Sequence, residues 1–111
     1  MKLLFTSTGK TLESDMDPRF GRGKGFILYD TDTKTFLWHD NSENAEAGHG
    51  AGTSAARVVV DLGADAVFTS HVGPKAGAVL SAVGIDTYSH VENMTVLEAI
   101  EKFQNNELEK D

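Results

Sequence analysis

Three short segments carry residues with which this chain could bind an anion. Residues 14–22 hold Arg19 and Arg22, whose guanidinium groups offer paired hydrogen-bond donors. Residues 48–54 contain three glycines and lead into a predicted helix, where free backbone N–H groups attract negative charge. Residues 69–74 connect a predicted strand to a second predicted helix. Each segment also has a purely structural interpretation, as a solvated loop, a glycine hinge or a tight turn.

Two histidines lie on these glycine-bearing loops, His49 and His71, and a neutral imidazole there could ligate iron, copper or zinc. The alternative is that each is simply an exposed loop residue. The chain has no cysteine, which excludes disulfides, thiolate catalysis, a cysteine-rich zinc site and thiolate ligation of an iron–sulfur cluster. It also has no G-x-S-x-G sequence, so nucleophilic catalysis has little support.

Composition limits the classes of protein that remain. The chain has 111 residues, 40% of them hydrophobic, which suffices for one domain with one core. A formal net charge of −7 argues against a nucleic-acid partner. The apolar runs are only a few residues long, which predicts neither a membrane span nor a signal peptide. We therefore expect a cytoplasmic protein.

The hydrophobic pattern predicts a mixed sheet flanked by helices, in the order β-β-β-α-β-α-β-α. The predicted strands are 2–6, 25–30, 35–39, 65–69 and 85–88, and the predicted helices are 53–62, 74–83 and one that starts at a capping box at Thr95. Right-handed crossovers make the later strands parallel, and ligands gather at the carboxyl ends of such strands. Residues 1–103 are predicted to form one domain, followed by a charged tail at 104–111 that we expect to fray.

Three blocks of sequence together resemble one known family. They are Asp17-Pro18-Arg19-Phe20-Gly21-Arg22, then Gly50-Ala51-Gly52, then Val72-Gly73-Pro74-Lys75-Ala76 with Gly84-Ile85-Asp86 downstream. The chain resembles the dinitrogenase iron–molybdenum cofactor biosynthesis family over residues 1–103. The resemblance implies an α/β, ribonuclease H-like three-layer fold, with a five-stranded mixed sheet in the order 3-2-1-4-5 and about three helices.

The resemblance also implies a function. Members of that family are non-catalytic carriers that bind an iron–sulfur cluster or an iron–molybdenum cofactor precursor transiently, as accessories to nitrogen fixation or other metallocluster assembly. Partners would be cluster donor and acceptor proteins, with the chain a monomer or weak dimer. The implied cofactor-binding residues are Asp17, Arg19, Phe20, Gly21, Arg22, His49, Gly50, Ala51, Gly52, His71, Val72 and Gly73, with His49 and His71 as metal ligands.

Two other functions stay open on the residues alone. The chain could be a small enzyme acting on a phosphorylated or carboxylated metabolite, with Asp17 or His71 as its acid–base group. It could instead be a regulatory interaction domain, in which Phe36 and Trp38 of the predicted hairpin present an edge-strand surface. A half-buried sheet face is the structural alternative for these two aromatic side chains.

Overall fold

The computed structural model describes residues 1–46, 48 and 50–111. Its strands are β1 (Lys2–Ser7), β2 (Gly25–Asp30), β3 (Thr35–Asp40), β4 (Ala66–Phe68) and β5 (Asp86–Tyr88). Its helices are α1 (Ser42–Ala45), α2 (Ala51–Asp61), α3 (Pro74–Ala82) and α4 (Val96–Gln104). Within the described residues, no helix is long and apolar enough to cross a membrane.

The five strands form one mixed sheet in the order β3-β2-β1-β4-β5, which confirms the predicted α/β fold. β1 pairs antiparallel with β2, and β2 pairs antiparallel with β3 through the predicted hairpin. β1 pairs parallel with β4, and β4 pairs parallel with β5. The carboxyl ends of these three parallel strands therefore meet at one edge of the sheet.

The sheet buries a separate core on each face, because successive side chains of a strand point to opposite faces. Leu4 of β1 packs with Phe26, Val59 and Leu80 in the core beneath α2 and α3. The other face of the sheet packs against α4. There the rings of Phe5 and Tyr88 each stack on Phe68 at a centroid distance of 4.6 Å, and the ring of Phe103 meets Phe68 edge-on at 5.2 Å. Both faces are thus covered by helices, which gives the predicted three layers.

The structure differs from the prediction in the loop at residues 40–50 and at the start of the next helix. The sequence predicts a polar loop, whereas Ser42–Ala45 form α1. This helix has four residues, none of them buried, so it produces no hydrophobic periodicity. α2 begins at Ala51, two residues before the predicted start. Gly63 follows α2 with a φ of 76°, the left-handed conformation expected of a glycine that ends a helix.

The charged tail at residues 104–111 does not fray as expected, because it folds back along β5. The backbone N–H of Asp111 donates to the carbonyl oxygen of Thr87 at 2.8 Å. The Asp111 carboxylate accepts from the Ser89 backbone N–H at 3.1 Å and from the Ser89 hydroxyl at 2.5 Å. Leu108 packs against the core beneath α4. These contacts cover the outer edge of β5.

The capping box that predicted the start of α4 is present. The Thr95 hydroxyl accepts from the Glu98 backbone N–H at 3.1 Å, and the Glu98 carboxylate accepts from the Thr95 backbone N–H at 3.0 Å. We expect Thr95→Ala to lower the free energy of unfolding by about 1 kcal/mol, because one N–H of the first turn loses its acceptor. Urea denaturation measures this, with Glu101→Ala on the same helix as the control. Equal stability of the two variants would contradict the prediction.

Candidate functional site

The three segments singled out in the sequence converge on one cavity of about 650 Å³ at the carboxyl edge of the parallel strands. That volume lies within the range typical of small-molecule sites. The cavity is lined by Arg19, Phe20, Gly21, Arg22, Gly50, Ala51, Gly52, Thr53, His71, Gly73, Pro74, Lys75 and Ala76. Residues far apart in sequence thus line one cavity, and "the cavity" below always means this one.

Most of the predicted site residues line the cavity, but three do not belong to its described wall. Asp17 lies behind the wall, buried to 1% exposure. Val72 lines a different cavity, on the far side of α3 beside Asp111. His49 lies outside the described residues. Four lining residues were not predicted from the sequence, although they occupy the first turns of predicted helices: Thr53, Pro74, Lys75 and Ala76.

Asp17 lies in the arginine loop (residues 14–22) and positions it instead of facing the cavity. Its carboxylate accepts from the backbone N–H, Nε and Nη2 of Arg19 at 3.0, 3.1 and 3.1 Å. It also accepts from the backbone N–H of Lys24 at 3.2 Å. With four hydrogen bonds and almost no exposure, this carboxylate is occupied, so we assign it a positioning role in place of the predicted direct contact.

The pKa of Asp17 lies below its ordinary value. Burial by itself raises this pKa, because it disfavours the charged carboxylate. The hydrogen bonds from Arg19 and from the backbone of Lys24 favour the charged form and together outweigh burial. The same ion pair raises the pKa of Arg19, chiefly through the side-chain hydrogen bonds that Arg19 donates to the Asp17 carboxylate. Both partners are therefore charged at neutral pH.

The arginine loop is fixed to the sheet at two further points. The backbone N–H of Asp17 donates to the carbonyl oxygen of Thr6 at 2.9 Å, and the Thr6 hydroxyl donates to the Asp17 carbonyl oxygen at 2.6 Å. The Phe20 side chain enters the core beneath α2 and α3, with its ring 6.0 Å from that of Phe26. The guanidinium group of Arg19 therefore projects from an anchored segment.

Gly21 brings the arginine loop directly against the start of α2. A Cβ at this position would lie 2.5 Å from the backbone nitrogen of Gly52 and 2.7 Å from the carbonyl carbon of Ala51, so only glycine fits without a shift. The side-chain amide of Asn44 joins the same two segments, donating to the carbonyl oxygens of Gly21 at 3.1 Å and of Ala51 at 2.9 Å. One wall of the cavity is thus packed backbone against backbone.

Arg22 lines the cavity and also binds the segment before α2. Its Nη1 donates to the carbonyl oxygen of Ala45 at 3.0 Å, and its Nη2 donates to that of Gly48 at 3.3 Å. The sequence predicts that Arg22 binds an anion together with Arg19. The structure gives its guanidinium group carbonyl partners 23 and 26 residues away, so it also organises the cavity.

Two helices begin at the cavity. α2 starts after Gly50 and α3 starts after Gly73, and neither of these N-cap residues supplies a side-chain hydrogen bond to its helix. The first backbone N–H groups of a helix have no partner inside the helix, and they carry its partial positive charge. The first-turn residues Gly52, Thr53, Lys75 and Ala76 all line the cavity.

Gly52 and Gly73 form a part of the cavity lining that has no side chains, which we call the bare floor. Neither the backbone conformation nor the packing requires glycine at these two positions. Gly73 has a φ of −65° and a ψ of 163°, a conformation open to any residue and favoured before a proline. No described atom lies within 4 Å of a Cβ built at Gly73. A Cβ at Gly52 would meet only the Ala76 methyl group, at 3.7 Å, an ordinary contact. The fold could accept a methyl group at either position, but the cavity would lose main-chain surface.

The charges of the lining side chains have one sign. Arg19, Arg22 and Lys75 are exposed basic residues, and the described lining contains no carboxylate. His71 is exposed at the same rim. In the described part of the chain, no three His, Asp or Glu side chains are grouped so that they could hold a metal ion. The cavity is therefore locally cationic in a protein whose net charge is −7.

The fold and the cavity define a class of protein, a small α/β domain with a cationic cavity, lined in part by glycines, beside its parallel strands. The chain matches the model of the family described as dinitrogenase iron-molybdenum cofactor over residues 1–106. The chain belongs to this family, as the resemblance indicated.

Similar proteins agree with that assignment. The uncharacterized protein MJ0580 of Methanocaldococcus jannaschii is 30% identical over 97 residues, covering 86% of this chain and 81% of that protein. The apo form of the orange protein from Desulfovibrio gigas is 35% identical with a TM-score of 0.95, covering 99% of this chain and 92% of that chain. The NifB-like protein TM1290 of Thermotoga, from the DUF35 family, is 35% identical with a TM-score of 0.84, covering 98% of this chain and 91% of that chain.

Proposed function

We propose that this protein is a non-catalytic carrier that binds an anionic metal–sulfur cluster, or an iron–molybdenum cofactor precursor, in the cavity during metallocluster assembly. The observation that carries the proposal is the bare floor at Gly52 and Gly73. Side chains are absent there although the backbone and the described neighbours would allow them. A ligand that lies against the main chain gives a reason for that absence.

The donors around the cavity favour an anion. Two helix N-termini supply backbone N–H groups and partial positive charge, and Arg19, Arg22 and Lys75 supply full charges at the rim. A metal–sulfur cluster carries its negative charge on sulfur and oxygen atoms, which accept hydrogen bonds. Such a cluster needs no protein thiolate in order to be held in this way, and the chain has none to offer.

Transient binding follows from the same donor set. Hydrogen bonds and charge pairs exchange with water and with other proteins more readily than metal–thiolate bonds break, so the cluster can be passed on. A carrier of this kind implies donor and acceptor proteins in the same compartment. We propose that this compartment is the cytoplasm, as predicted from the sequence. Two findings support a cofactor that is not permanently bound. The family description names the iron-molybdenum cofactor, and the orange protein exists in an apo form.

Anaerobic reconstitution with iron, sulfide and molybdate tests the proposal. We expect a coloured protein with visible charge-transfer absorption and metal that stays with the chain through desalting. Thermal stabilisation by inorganic phosphate or nucleotides, with no colour after reconstitution, would instead favour the enzyme alternative. A chain that remains colourless, and whose spectrum is unchanged by an isolated cluster, would contradict the carrier proposal.

Removing one rim charge that is not part of the Asp17 network should weaken binding without disturbing the fold. Lys75 is exposed and lines the cavity, and we expect Lys75→Gln to lower the affinity for the reconstituted cluster roughly tenfold, since a charge-assisted hydrogen bond is lost. The dependence of affinity on salt should also become shallower. Titration at several salt concentrations measures both effects. Lys102→Gln, which removes the same charge from α4 on the opposite face, is the control and should leave affinity unchanged.

A further inference from the structure

One buried side-chain polar atom in the described part of the chain has no hydrogen-bond partner, the Oδ1 of Asn41. Asn41 follows β3 and is only 2% exposed. Its Nδ2 donates to the carbonyl oxygens of Gly21 at 3.0 Å and Gly23 at 3.1 Å, which fixes the orientation of the amide. Although Asn41 directly precedes α1, its side chain does not cap that helix. A buried acceptor without a donor costs free energy, so this oxygen needs a donor that the fold does not supply.

Asn41 also lines a second cavity, which we call the acidic pocket, where the end of β3 meets α1 and α2. This pocket has a volume of about 370 Å³, and it is lined by His39, Asp40, Asn41, Glu43, Asn44 and Val58. The nitrogen of the Asn41 amide is turned toward Gly21 and Gly23, which do not line the pocket. The oxygen is therefore the end of this amide that is left for a ligand in the pocket.

The acidic pocket has the opposite charge to the cavity. Asp40 and Glu43 are exposed, and neither carboxylate forms an ion pair with a residue that the structure describes. The described lining of this pocket contains no lysine or arginine. One oxygen of Asp40 accepts from the backbone N–H of Ser42 at 2.7 Å, which leaves the negative charge of Asp40 in place. A ligand for this pocket must therefore donate hydrogen bonds and carry positive charge.

The lining favours a planar organic cation over a metal ion. Over residues 1–46, 48 and 50–111, no three His, Asp or Glu side chains are grouped so that they could hold a metal ion. Trp38 packs against the core beneath α4, in the half-buried position that was its structural alternative, so His39 lies on the other face. The His39 ring stacks on that of Phe26 at a centroid distance of 6.2 Å and gives the pocket a flat ring. A guanidinium group stacks on such rings and donates within its own plane.

We propose that the acidic pocket binds a guanidinium group, which donates to Oδ1 of Asn41 and pairs with the carboxylates of Asp40 and Glu43. The five N–H donors of a guanidinium group lie in one plane, so a single group can serve an amide oxygen and a carboxylate together. An arginine side chain of a docking protein and a free guanidinium metabolite carry this same group. The probes described below distinguish these two sources.

The acidic pocket is joined to one wall of the cavity by two asparagines. Asn41 donates to the carbonyl oxygens of Gly21 and Gly23, and Asn44 donates to those of Gly21 and Ala51. A cation beside the Asn41 oxygen polarises that amide and strengthens the hydrogen bonds that its nitrogen donates. Occupation of the acidic pocket should therefore hold the wall at Gly21 more firmly. The binding site itself is independent of the proposed carrier function.

Nuclear magnetic resonance of the full chain without a cluster tests the site with three matched probes. Methylguanidinium is a planar cation, methylurea is its neutral counterpart, and methylammonium is a compact cation. We expect methylguanidinium to shift the side-chain amide signals of Asn41 and to bind in the millimolar range, roughly tenfold more tightly than the other two probes. Unshifted Asn41 signals would overturn the proposal. So would binding of methylurea or methylammonium that is as tight as that of methylguanidinium.

Glu43→Gln should weaken the binding of methylguanidinium about threefold, because one exposed charge of the pocket is removed. Glu101→Gln removes the same charge from α4, on the opposite face of the sheet, and should bind as the wild type does. Equal affinities of these two variants would contradict the assignment to the acidic pocket. Tighter binding of N-acetyl-arginine amide than of free arginine would indicate a protein arginine as the source, and the reverse a metabolite, and either result supports a guanidinium site. Failure of every probe would leave the carrier proposal standing, because no cluster is present.

Discussion

Gly73→Ala should leave the protein folded and strongly reduce its uptake of a cluster. The backbone at Gly73 suits alanine, and no described atom obstructs the added methyl group. Restricting the unfolded chain should therefore raise the free energy of unfolding, by up to about 1 kcal/mol. Anaerobic reconstitution should nevertheless give little colour, with affinity reduced about tenfold or more.

The reason is the position of the new methyl group. Gly73 lines the cavity directly before α3, so its Cβ would occupy the surface on which the ligand is proposed to lie. A methyl group there keeps an anion from the backbone N–H groups of Lys75 and Ala76. Hydrogen bonds weaken steeply with distance and angle, so a small displacement is sufficient. Gly52→Ala should act in the same way on the N–H groups of α2.

Gly77→Ala is the matched control for both variants. Gly77 is in α3 but lies outside the cavity, and its added Cβ would meet only Val72, at 3.9 Å. It should stabilise the helix and leave reconstitution unchanged. If Gly73→Ala and Gly77→Ala took up the same amount of metal per chain, the bare floor would have no part in binding.

Asp17→Asn should cause the largest loss of stability of any change at the site, about 2 kcal/mol. An amide accepts fewer and weaker hydrogen bonds than a carboxylate. The hydrogen bonds that the backbone N–H groups of Arg19 and Lys24 donate to residue 17 should therefore become weaker. The loop should also lose the ion pair that holds the Arg19 guanidinium group in place. Guanidinium chloride denaturation at neutral pH measures the change.

The pH dependence identifies the carboxylate as the cause. The pKa of Asp17 is lowered in the folded protein, since its hydrogen bonds outweigh burial. Its contribution to stability is therefore complete above its ordinary pKa and is lost as the pH falls through the lowered folded value. The gap in stability between wild type and Asp17→Asn should be constant near neutral pH and should close in acid.

Other carboxylates share this direction and must be separated from Asp17. Hydrogen bonds from neighbouring residues, the largest cause in each case, also lower the pKa values of Asp30, Asp40 and Glu98. These groups remain in the variant, so the difference between the two proteins isolates Asp17. A stability gap that stayed the same from neutral to acidic pH would show that packing, and not charge, accounts for the loss.

Local sequence signals were sufficient for most of the fold. The capping box at Thr95, the proline at the start of α3 and the glycine after α2 each mark a helix boundary through interactions within a few residues. Short runs of apolar and aromatic residues marked the strands. α1 was missed because four exposed residues show no periodicity, and the packing of the tail was missed because Asp111 binds residues more than twenty positions earlier.

The site was predicted less completely than the fold, for the same physical reason. Arg19, Arg22, Gly52 and Gly73 could be chosen because arginines and glycine-bearing helix starts are recognisable in sequence. That Asp17 points inward depends on the path of the loop after it, which brings the Lys24 backbone within hydrogen-bonding distance. Thr53 and Lys75 could also have been predicted from the sequence, because residues in the first turn of a helix carry the free N–H groups.

The bare floor of the cavity has a consequence for how such a protein can diverge. Donors that belong to the main chain depend on the path of the backbone, and most substitutions leave that path unchanged. Side chains at the rim, such as that of Lys75, can vary, and such changes would adjust the charge and size of the proposed ligand. Relatives that keep the backbone and exchange most side chains would then inherit one means of holding a cluster while differing in which cluster they hold.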